Sequence, residues 1–248
     1  MDSLLVALDV DTAAEARALA DRLRGAVGGF KIGSRLFTSE GPRLVDELVS
    51  RGDRVFLDLK FHDIPNTVAA AGIEATRLGV SIFNVHASGG REMMKRTADA
   101  VAETAARETL PKPKVIAVTL LTSLDSSSLK RLGINSGSKD FVSGLAQEAA
   151  DSGLDGVVAS PQEIGVVRKA VSRPEFLIVT PGIRSAQDET DDQRRTMSAA
   201  EAIQAGADYL VVGRPILKAG DPVAAARSIL KEMERSVGSL RVSKGSTK

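Results

Sequence analysis

Three charged residues, Asp58, Lys60 and Asp63, lie in and just after a short apolar run that has the composition of a buried strand. Side chains alternate faces along a strand, so Asp58 and Lys60 point to one side while Leu57 and Leu59 point to the other. Charges on an interior face are costly unless they are paired with good geometry. An ammonium held in this way can stabilise a developing negative charge and then donate a proton, so the segment predicts acid–base chemistry. The alternative is a purely structural ion pair.

Two further charged residues belong to the neighbouring predicted strands. Asp9 ends the first strand and Lys31 lies in the second, at heights comparable with that of the charged pair. Acids and bases that alternate in this way keep one another ionised. Asp63 lies beyond its strand and just before Pro65, where a loop residue or a helix-capping acid is the ordinary interpretation. Because four other charges lie nearby, we predict that Asp63 belongs to the same array.

Two turns near the C-terminus suggest an anion-binding end. The predicted seventh strand leads towards Arg184, and the eighth leads into Gly213 and Arg214. The loops after strands seven and eight form a recurrent phosphate site in α/β barrels, where a glycine lets backbone N–H groups approach the anion and an arginine binds it. A solvated surface arginine is the alternative. Residues 185–197, with Gln193 among them, are polar and typical of a mobile lid, although an inert surface loop has the same composition.

Short apolar runs alternate with amphipathic, helix-like stretches along the whole chain. The predicted strands comprise residues 4–9, 29–33, 54–60, 81–86, 114–119, 156–159, 176–180 and 209–213. The predicted helices comprise residues 12–27, 39–50, 65–78, 90–109, 139–152, 161–171, 198–205 and 222–235. This alternation predicts an α/β fold, a single-domain (β/α)₈ TIM barrel over residues 1–240, whose C-terminal mouth is where barrel enzymes have their active sites. The Ser- and Gly-rich residues 123–138 are interpreted as an insertion after strand five, and residues 241–248 as a polar tail.

Composition excludes several classes of protein. The chain has 33 basic and 32 acidic residues and only 3% aromatics, so neither charge nor stacking favours nucleic-acid binding. It has no cysteine, which excludes disulfides and thiolate chemistry. No apolar stretch approaches the ~20 residues that span a bilayer, and the apolar start is too short for a signal peptide, so we expect a cytoplasmic protein without a membrane partner. His62 and His86 lack a carboxylate pattern typical of metal sites, so no metal is predicted.

Seven motifs, in the same order, resemble those of orotidine 5′-phosphate decarboxylases of the bacterial type. The resemblance extends over residues 4–235 and is most specific in residues 58–67. The motifs are Ala7-Leu8-Asp9, Lys31-Ile32-Gly33, Asp58-Leu59-Lys60-Phe61-His62-Asp63-Ile64-Pro65-Asn66-Thr67, Asn84-Val85-His86-Ala87, Leu121-Thr122-Ser123, Pro181-Gly182-Ile183-Arg184 and Val211-Val212-Gly213-Arg214.

The resemblance implies conversion of orotidine 5′-monophosphate to UMP and CO₂ with no metal and no organic cofactor. It implies that Lys60 protonates C6, and that Lys31, Asp58 and Asp63 complete the charged network. It further implies a homodimer in which Asp63 and Thr67 of each subunit reach the partner's site. The implied substrate-binding residues are Asp9, Lys31, Asp58, Ile64, Pro65, Thr67, Thr122, Ser123, Pro181, Arg184, Gln193, Gly213 and Arg214. Among these, Asp9 and Lys31 contact the ribose, Thr122 and Ser123 the pyrimidine, and Arg184, Gln193, Gly213 and Arg214 the phosphate end.

Two other functions compete with this interpretation. Magnesium-dependent sugar-phosphate decarboxylases and aldolases of the same superfamily also resemble the Asp-x-Lys-x-x-Asp pattern. They have an acidic residue on strand two, where this chain has Lys31, whose ammonium would repel a divalent ion. A barrel that binds a phosphorylated ligand or a protein without catalysis is the other alternative; it predicts the loss of some charged positions, and none is lost.

Overall fold

A computed structural model describes residues 2–124, 126–183 and 197–244, and over these residues it is a closed barrel of eight parallel strands. Each strand pairs with the next, and β8 closes the barrel on β1. The predicted (β/α)₈ TIM barrel is therefore confirmed. The strands are β1 Leu4–Ala7, β2 Gly29–Gly33, β3 Val55–Phe61, β4 Ile82–His86, β5 Lys114–Val118, β6 Gly156–Val158, β7 Leu177–Pro181 and β8 Tyr209–Val212.

Helices alternate with the strands and cover the outside of the barrel. They are α1 Ala13–Leu23, α2 Ser34–Glu40, α3 Pro42–Ser50, α4 Pro65–Arg77, α5 Arg91–Glu108, α6 Ser126–Arg131, α7 Ser138–Asp151, α8 Ile164–Ala170, α9 Ala199–Ala205, α10 Arg214–Leu217 and α11 Pro222–Lys244. None of the helices in the described part of the chain is long and apolar enough to cross a membrane.

The helices differ from the sequence-based prediction in several places, among them α2 and α10, which were not predicted. The helix predicted from residue 39 begins at Pro42, because Gly41 has a left-handed φ of 67° that ends the preceding α2. Helix α6 lies within the Ser- and Gly-rich insertion, where no helix was predicted. Helix α11 continues to Lys244, four residues into the segment predicted as a polar tail.

Apolar side chains fill the lower part of the barrel interior, and polar side chains join apolar ones in its upper part. The interior cluster comprises Leu5, Ala7, Phe56, Ile82, Ile116, Val179 and Val211. Two residues further along β3 and β4, the same interior faces carry Asp58 and Asn84 in place of Phe56 and Ile82, because side chains repeat their face every second residue. The polar layer therefore lies at the C-terminal ends of the strands, which we call the mouth.

At the opposite end, which we call the N-terminal face, aspartates join adjacent strands. Asp155 precedes β6 and accepts a hydrogen bond from Val115 N of β5 at 2.9 Å. Asp208 precedes β8 and accepts one from Ile178 N of β7 at 2.7 Å. Arg168 of α8 bonds Asp208 Oδ2 at 2.5 Å and also donates to the carbonyls of Phe176 and Gly206. These bonds fix strand ends to helices at this face.

Candidate active site

The mouth holds a cavity of about 250 Å³ that opens to solvent. It is lined by residues of β1 to β3 and of β5 to β8 and by the loops that follow several of these strands, which suits a small ligand that must be contacted from several sides. Predicted site residues that line it are Asp9, Lys31, Asp58, Lys60, Thr122, Pro181, Gly213 and Arg214. Predicted site residues that do not line it are Asp63, Ile64, Pro65, Thr67 and Ser123. Arg184 and Gln193 lie outside the described residues.

Four charged side chains form a continuous alternating cluster beside the cavity. Lys60 Nζ lies 2.6 Å from Asp58 Oδ1, and Lys31 Nζ lies 3.4 Å from Asp58 Oδ2. Lys31 Nζ also lies 3.1 Å from Asp9 Oδ1. Exposure is 10% for the Lys31 side chain and 13% for that of Asp58, against 35% for Lys60. The Lys60 side chain is thus the more exposed of the two lysines that flank Asp58.

Asp58 is held ionised by its partners. Its burial favours the neutral acid, but the positive charges of Lys31 and Lys60 and the hydrogen bonds from Lys60 and Asn84 outweigh this and lower the pKa of the Asp58 carboxyl below its usual value. The cavity therefore presents a fixed negative charge next to a fixed positive one at neutral pH.

Lys60 lies in an irregular part of β3. Leu57 pairs with Phe83 of β4, but the next pair is Phe61 with Val85, so β3 has two more residues than β4 between these pairs. Lys60 has a left-handed φ of 53°, which a non-glycine residue rarely adopts. Backbone outliers of this kind cluster at functional sites, where the surrounding structure holds them in place.

Gly33, the last residue of β2, leaves room for the head of Lys31. A Cβ at this position would lie 3.0 Å from Lys31 Nζ and 3.5 Å from Asp9 Oδ1. Any side chain here would therefore press on the ammonium that joins the two aspartates. In the Lys31-Ile32-Gly33 motif, Lys31 thus supplies the charge and Gly33 leaves the space that the Lys31 ammonium occupies.

The segment after β3 faces away from the cavity of its own chain. Asp63 and Thr67 are exposed, and Ile64 is 65% exposed although it is a large apolar residue. Asp63 Oδ1 accepts a hydrogen bond from Ile64 N at 2.6 Å, but Asp63 makes no ion pair with any residue that the structure describes. The charge array within one chain therefore has four members, and Asp63 is not among them.

The predicted phosphate end lies across the mouth from Lys60. Gly213 immediately precedes α10, and a Cβ there would lie 3.5 Å from the Ala7 side chain and 3.7 Å from Asp9 Oδ2. Pro181 and Arg214 line the same side of the cavity. Ile183, also in the lining, pairs with Met197 as an isolated β-bridge, so the chain leaves and returns to this side of the mouth. The remainder of the predicted lid lies outside the described residues.

The two histidines pair with each other next to Lys60. The rings of His62 and His86 have centroids 5.2 Å apart. Burial, followed by the nearby His62 and Lys60, lowers the pKa of His86, so its imidazole is held neutral. In the described part of the chain, no three of its His, Asp and Glu side chains are grouped as a metal site requires.

Asn84 is a site residue that the sequence interpretation did not single out. It is 1% exposed, it donates a hydrogen bond from Nδ2 to Asp58 Oδ1 at 2.6 Å, and its Oδ1 accepts one from Lys60 N at 2.8 Å. The signal was available, because Asn84 is an amide between Ile82 and His86 on the interior face of a predicted strand. A buried polar side chain at such a position needs partners.

Comparison with known proteins connects this geometry to a family. The model of the Orotidine 5′-phosphate decarboxylase / HUMPS family matches residues 2–229. A relative from Syntrophotalea carbinolica, named orotidine 5′-phosphate decarboxylase, is 54% identical over 93% of this chain and 94% of its own. One of the same name from Moorella thermoacetica is 53% identical over 94% and 92%. The crystal structure of orotidine 5′-phosphate decarboxylase from Lactobacillus acidophilus has a TM-score of 0.83 at 34% identity and covers 94% of this chain and 99% of its own.

Proposed function

Since the chain belongs to the Orotidine 5′-phosphate decarboxylase / HUMPS family, we propose that it converts orotidine 5′-monophosphate to UMP and CO₂ in pyrimidine biosynthesis. The observation that carries the proposal is the Asp58–Lys60 pair at 2.6 Å on the wall of the cavity. We also propose that the reaction uses neither a metal nor an organic cofactor, and that it takes place in the cytoplasm.

The decarboxylation needs a positive charge next to C6 of the substrate. When the bond between C6 and the carboxylate breaks, its electron pair stays on C6 and CO₂ leaves. The Lys60 ammonium stabilises that pair electrostatically and then donates a proton to C6, which gives UMP and a neutral amine. Lys60 suits both steps because it lies on the cavity wall and its side chain is more exposed than that of Lys31, the other lysine beside Asp58.

Asp58 acts on the substrate before the bond breaks. Its carboxylate remains ionised, so a substrate carboxylate bound beside it is repelled. Two like charges ~4 Å apart repel by about 4 kcal/mol at an effective dielectric constant of 20. Loss of CO₂ relieves this repulsion, while contacts elsewhere on the substrate hold it in place.

Those other contacts lie around the rest of the cavity. We assign the ribose to Asp9 and Lys31, and the pyrimidine to Thr122 and Ser123. We assign the phosphate to the loops after β7 and β8, with Pro181, Arg184, Gln193, Gly213 and Arg214. The two ends of the nucleotide are then contacted from opposite sides of the mouth.

We further propose a homodimer in which Asp63, Ile64, Pro65 and Thr67 complete the site of the neighbouring subunit. The support is that none of them lines the cavity of its own chain and that Ile64 is 65% exposed. Ile64 is an exposed apolar residue next to Asp63, which has no ion pair among the described residues, and this combination is more typical of an interface than of a free surface.

The magnesium-dependent alternative conflicts with the position of Lys31. Its ammonium lies between Asp9 and Asp58, at 3.1 and 3.4 Å, where a divalent ion would have to lie to be held by both carboxylates. The site therefore supports the nucleotide reaction better than the sugar-phosphate reaction.

An ultraviolet absorbance assay tests the proposed reaction. Wild-type protein that has been treated with a chelator and desalted should consume orotidine 5′-monophosphate and form UMP. Readdition of magnesium should leave the rate unchanged. No turnover by folded wild-type protein would falsify the proposal, and a rate that depends on magnesium would favour the sugar-phosphate alternative.

Mixing inactive variants tests the shared site. Lys60→Ala and Asp63→Ala proteins should each be inactive, but a mixture allowed to exchange subunits should regain activity. One of the two sites in each hybrid dimer then has both wild-type residues, and the other site has both substitutions. If mass spectrometry detects hybrid dimers and no activity returns, the shared-site proposal is wrong.

A further inference from the structure

Asn84 lies between the two residues that the proposed reaction depends on. It belongs to β4, next to β3, and its side chain is almost completely buried with 1% exposure. It does not line the cavity, whereas Asp58 and Lys60 both do. Any effect of Asn84 on the reaction must therefore act through these two neighbours.

The carboxamide of Asn84 makes one hydrogen bond to each of them. Nδ2 donates to Asp58 Oδ1 at 2.6 Å, and Oδ1 accepts from the backbone N–H of Lys60 at 2.8 Å. A neutral amide has a donor and an acceptor on separate atoms, so it can make both bonds at once without adding charge. An aspartate could only accept, and an aliphatic residue could do neither.

The bond to Lys60 N compensates for a missing strand contact. Between the pairs Leu57–Phe83 and Phe61–Val85 the regular β3–β4 register is interrupted, and Lys60 adopts its left-handed φ of 53° there. A buried N–H without a partner is costly, so the amide oxygen of Asn84 stabilises a backbone conformation that the strand pairing does not. That conformation sets the direction in which the Lys60 side chain leaves the backbone.

We propose that Asn84 is a positioning residue for the decarboxylation, which fixes the Asp58 carboxylate and the Lys60 ammonium relative to each other through one hydrogen bond to each residue. This inference rests on the proposed function and extends it to a residue outside the cavity wall. Reacting groups that move by about 1 Å can lose about 100-fold in rate, so precise placement of the pair matters.

Asn84→Ala and the nearly isosteric Asn84→Asp are the test variants, and Thr97→Val is the matched control. Thr97 is also fully buried and donates to Met93 O at 2.8 Å, but it lies on α5 away from the mouth. Thr97→Val therefore removes one buried hydrogen bond without touching the charged cluster. Thermal unfolding shows that each variant is compared in its folded state.

We expect Asn84→Ala to lower kcat by about 10- to 100-fold with a change in KM of less than about threefold, because the lost contacts are to reacting groups and not to the substrate. Thr97→Val should keep the kcat and KM of the wild type. If Asn84→Ala and Thr97→Val lose stability alike and both keep wild-type kcat, the role of Asn84 is only structural and the proposal is overturned.

The titration of Asp58 separates this proposal from the proposed function. Asp58 faces Lys31 from β2, Lys60 from its own strand and Asn84 from β4, and it interacts electrostatically with His86. Removal of the Asn84 donor should raise the pKa of Asp58, and the added carboxylate of Asn84→Asp should raise it further. Carbon NMR of ligand-free protein, assigned with Asp58→Asn, measures this whether or not the wild type is active. An Asp58 titration that is unchanged in both variants would contradict the proposal.

Discussion

The barrel holds carboxylates at both ends, but it holds them by different kinds of contact. At the N-terminal face, Asp155 and Asp208 each accept a backbone N–H of an adjacent strand in addition to a Lys or Arg side chain. At the mouth, the hydrogen bonds that Asp58 accepts from described residues come from side chains, those of Lys60 and Asn84, and Lys31 adds its charge.

This difference indicates what each end does. A carboxylate that is bonded to backbone joins parts of the fold, and its contribution appears in stability. A carboxylate between two ammonium groups on a cavity wall leaves charge available for a ligand, and its contribution appears in rate. Substitutions at the two ends should therefore separate activity from stability in opposite directions.

Apart from Lys60→Ala, the substitution at the mouth that should lower activity most relative to stability is Lys31→Ala. Lys31 is the link between Asp9 and Asp58, so its loss leaves two acids without their shared cation. We expect kcat/KM for orotidine 5′-monophosphate to fall by about 10²- to 10³-fold, a typical cost of losing one preorganised electrostatic contact. The assay is ultraviolet absorbance, with the melting temperature measured alongside. A folded Lys31→Ala protein with wild-type activity would contradict the idea that contacts at the mouth contribute to rate rather than to stability.

Arg168→Ala at the N-terminal face should do the reverse, and lower stability while activity is kept. Arg168 joins Asp208, Gly206 and Phe176, so its loss should lower the free energy of unfolding by about 2–4 kcal/mol, or roughly 5–15 °C in melting temperature for a chain of this size. Activity of the folded protein at 25 °C should stay within about twofold of the wild type, since the bonds lie far from the cavity.

Arg91→Ala is the control for this loss. Arg91 also bonds a carboxylate, that of Glu148 at 3.0 and 3.2 Å, but both side chains are largely exposed. Its removal should change the melting temperature much less. If Arg168→Ala were as stable as Arg91→Ala, or lost activity while folded, the contacts of the N-terminal face would not serve mainly to stabilise the fold.

A smaller effect is expected from Gly33→Ala. The new Cβ would lie 3.0 Å from Lys31 Nζ and must displace it by a few tenths of an ångström, so we expect kcat/KM to fall by about 5- to 20-fold. Gly165→Ala is the matched control, because a Cβ at that helical position meets nothing within 4 Å and should leave kinetics unchanged. Equal kinetics of Gly33→Ala and Gly165→Ala would show that Lys31 can move without cost.

The sequence was sufficient for the barrel and for the charged wall of its cavity. Alternating strand and helix periods specify the fold class, and charges on interior strand positions stand out from an apolar pattern. Asp9, Lys31, Asp58 and Lys60 could be placed for that reason. Helix α6 could not, since its Ser-rich composition favours a loop and its stability comes from packing.

The irregular pairing around Lys60 could not be predicted either. A period of two describes regular strands, whereas the register shift between β3 and β4 depends on contacts between residues that are distant in sequence. The buried amide of Asn84 could have been noticed in the sequence, but its bond to Lys60 N depends on that shift. Asp63 is a different case, because it makes no ion pair with the described residues of its own chain, and in the proposed dimer its partners belong to a second subunit.

We propose that the cluster at the mouth carries out the decarboxylation through the Lys60 ammonium. Single-turnover decarboxylation of orotidine 5′-monophosphate, with enzyme in excess and the folded fraction verified by thermal unfolding, tests this role of Lys60. Loss of both charge stabilisation and the proton donor predicts that Lys60→Ala releases CO₂ at least about 10⁴-fold more slowly than the wild type while it keeps its fold. A folded Lys60→Ala protein that reacts within about tenfold of the wild-type rate would contradict the claim.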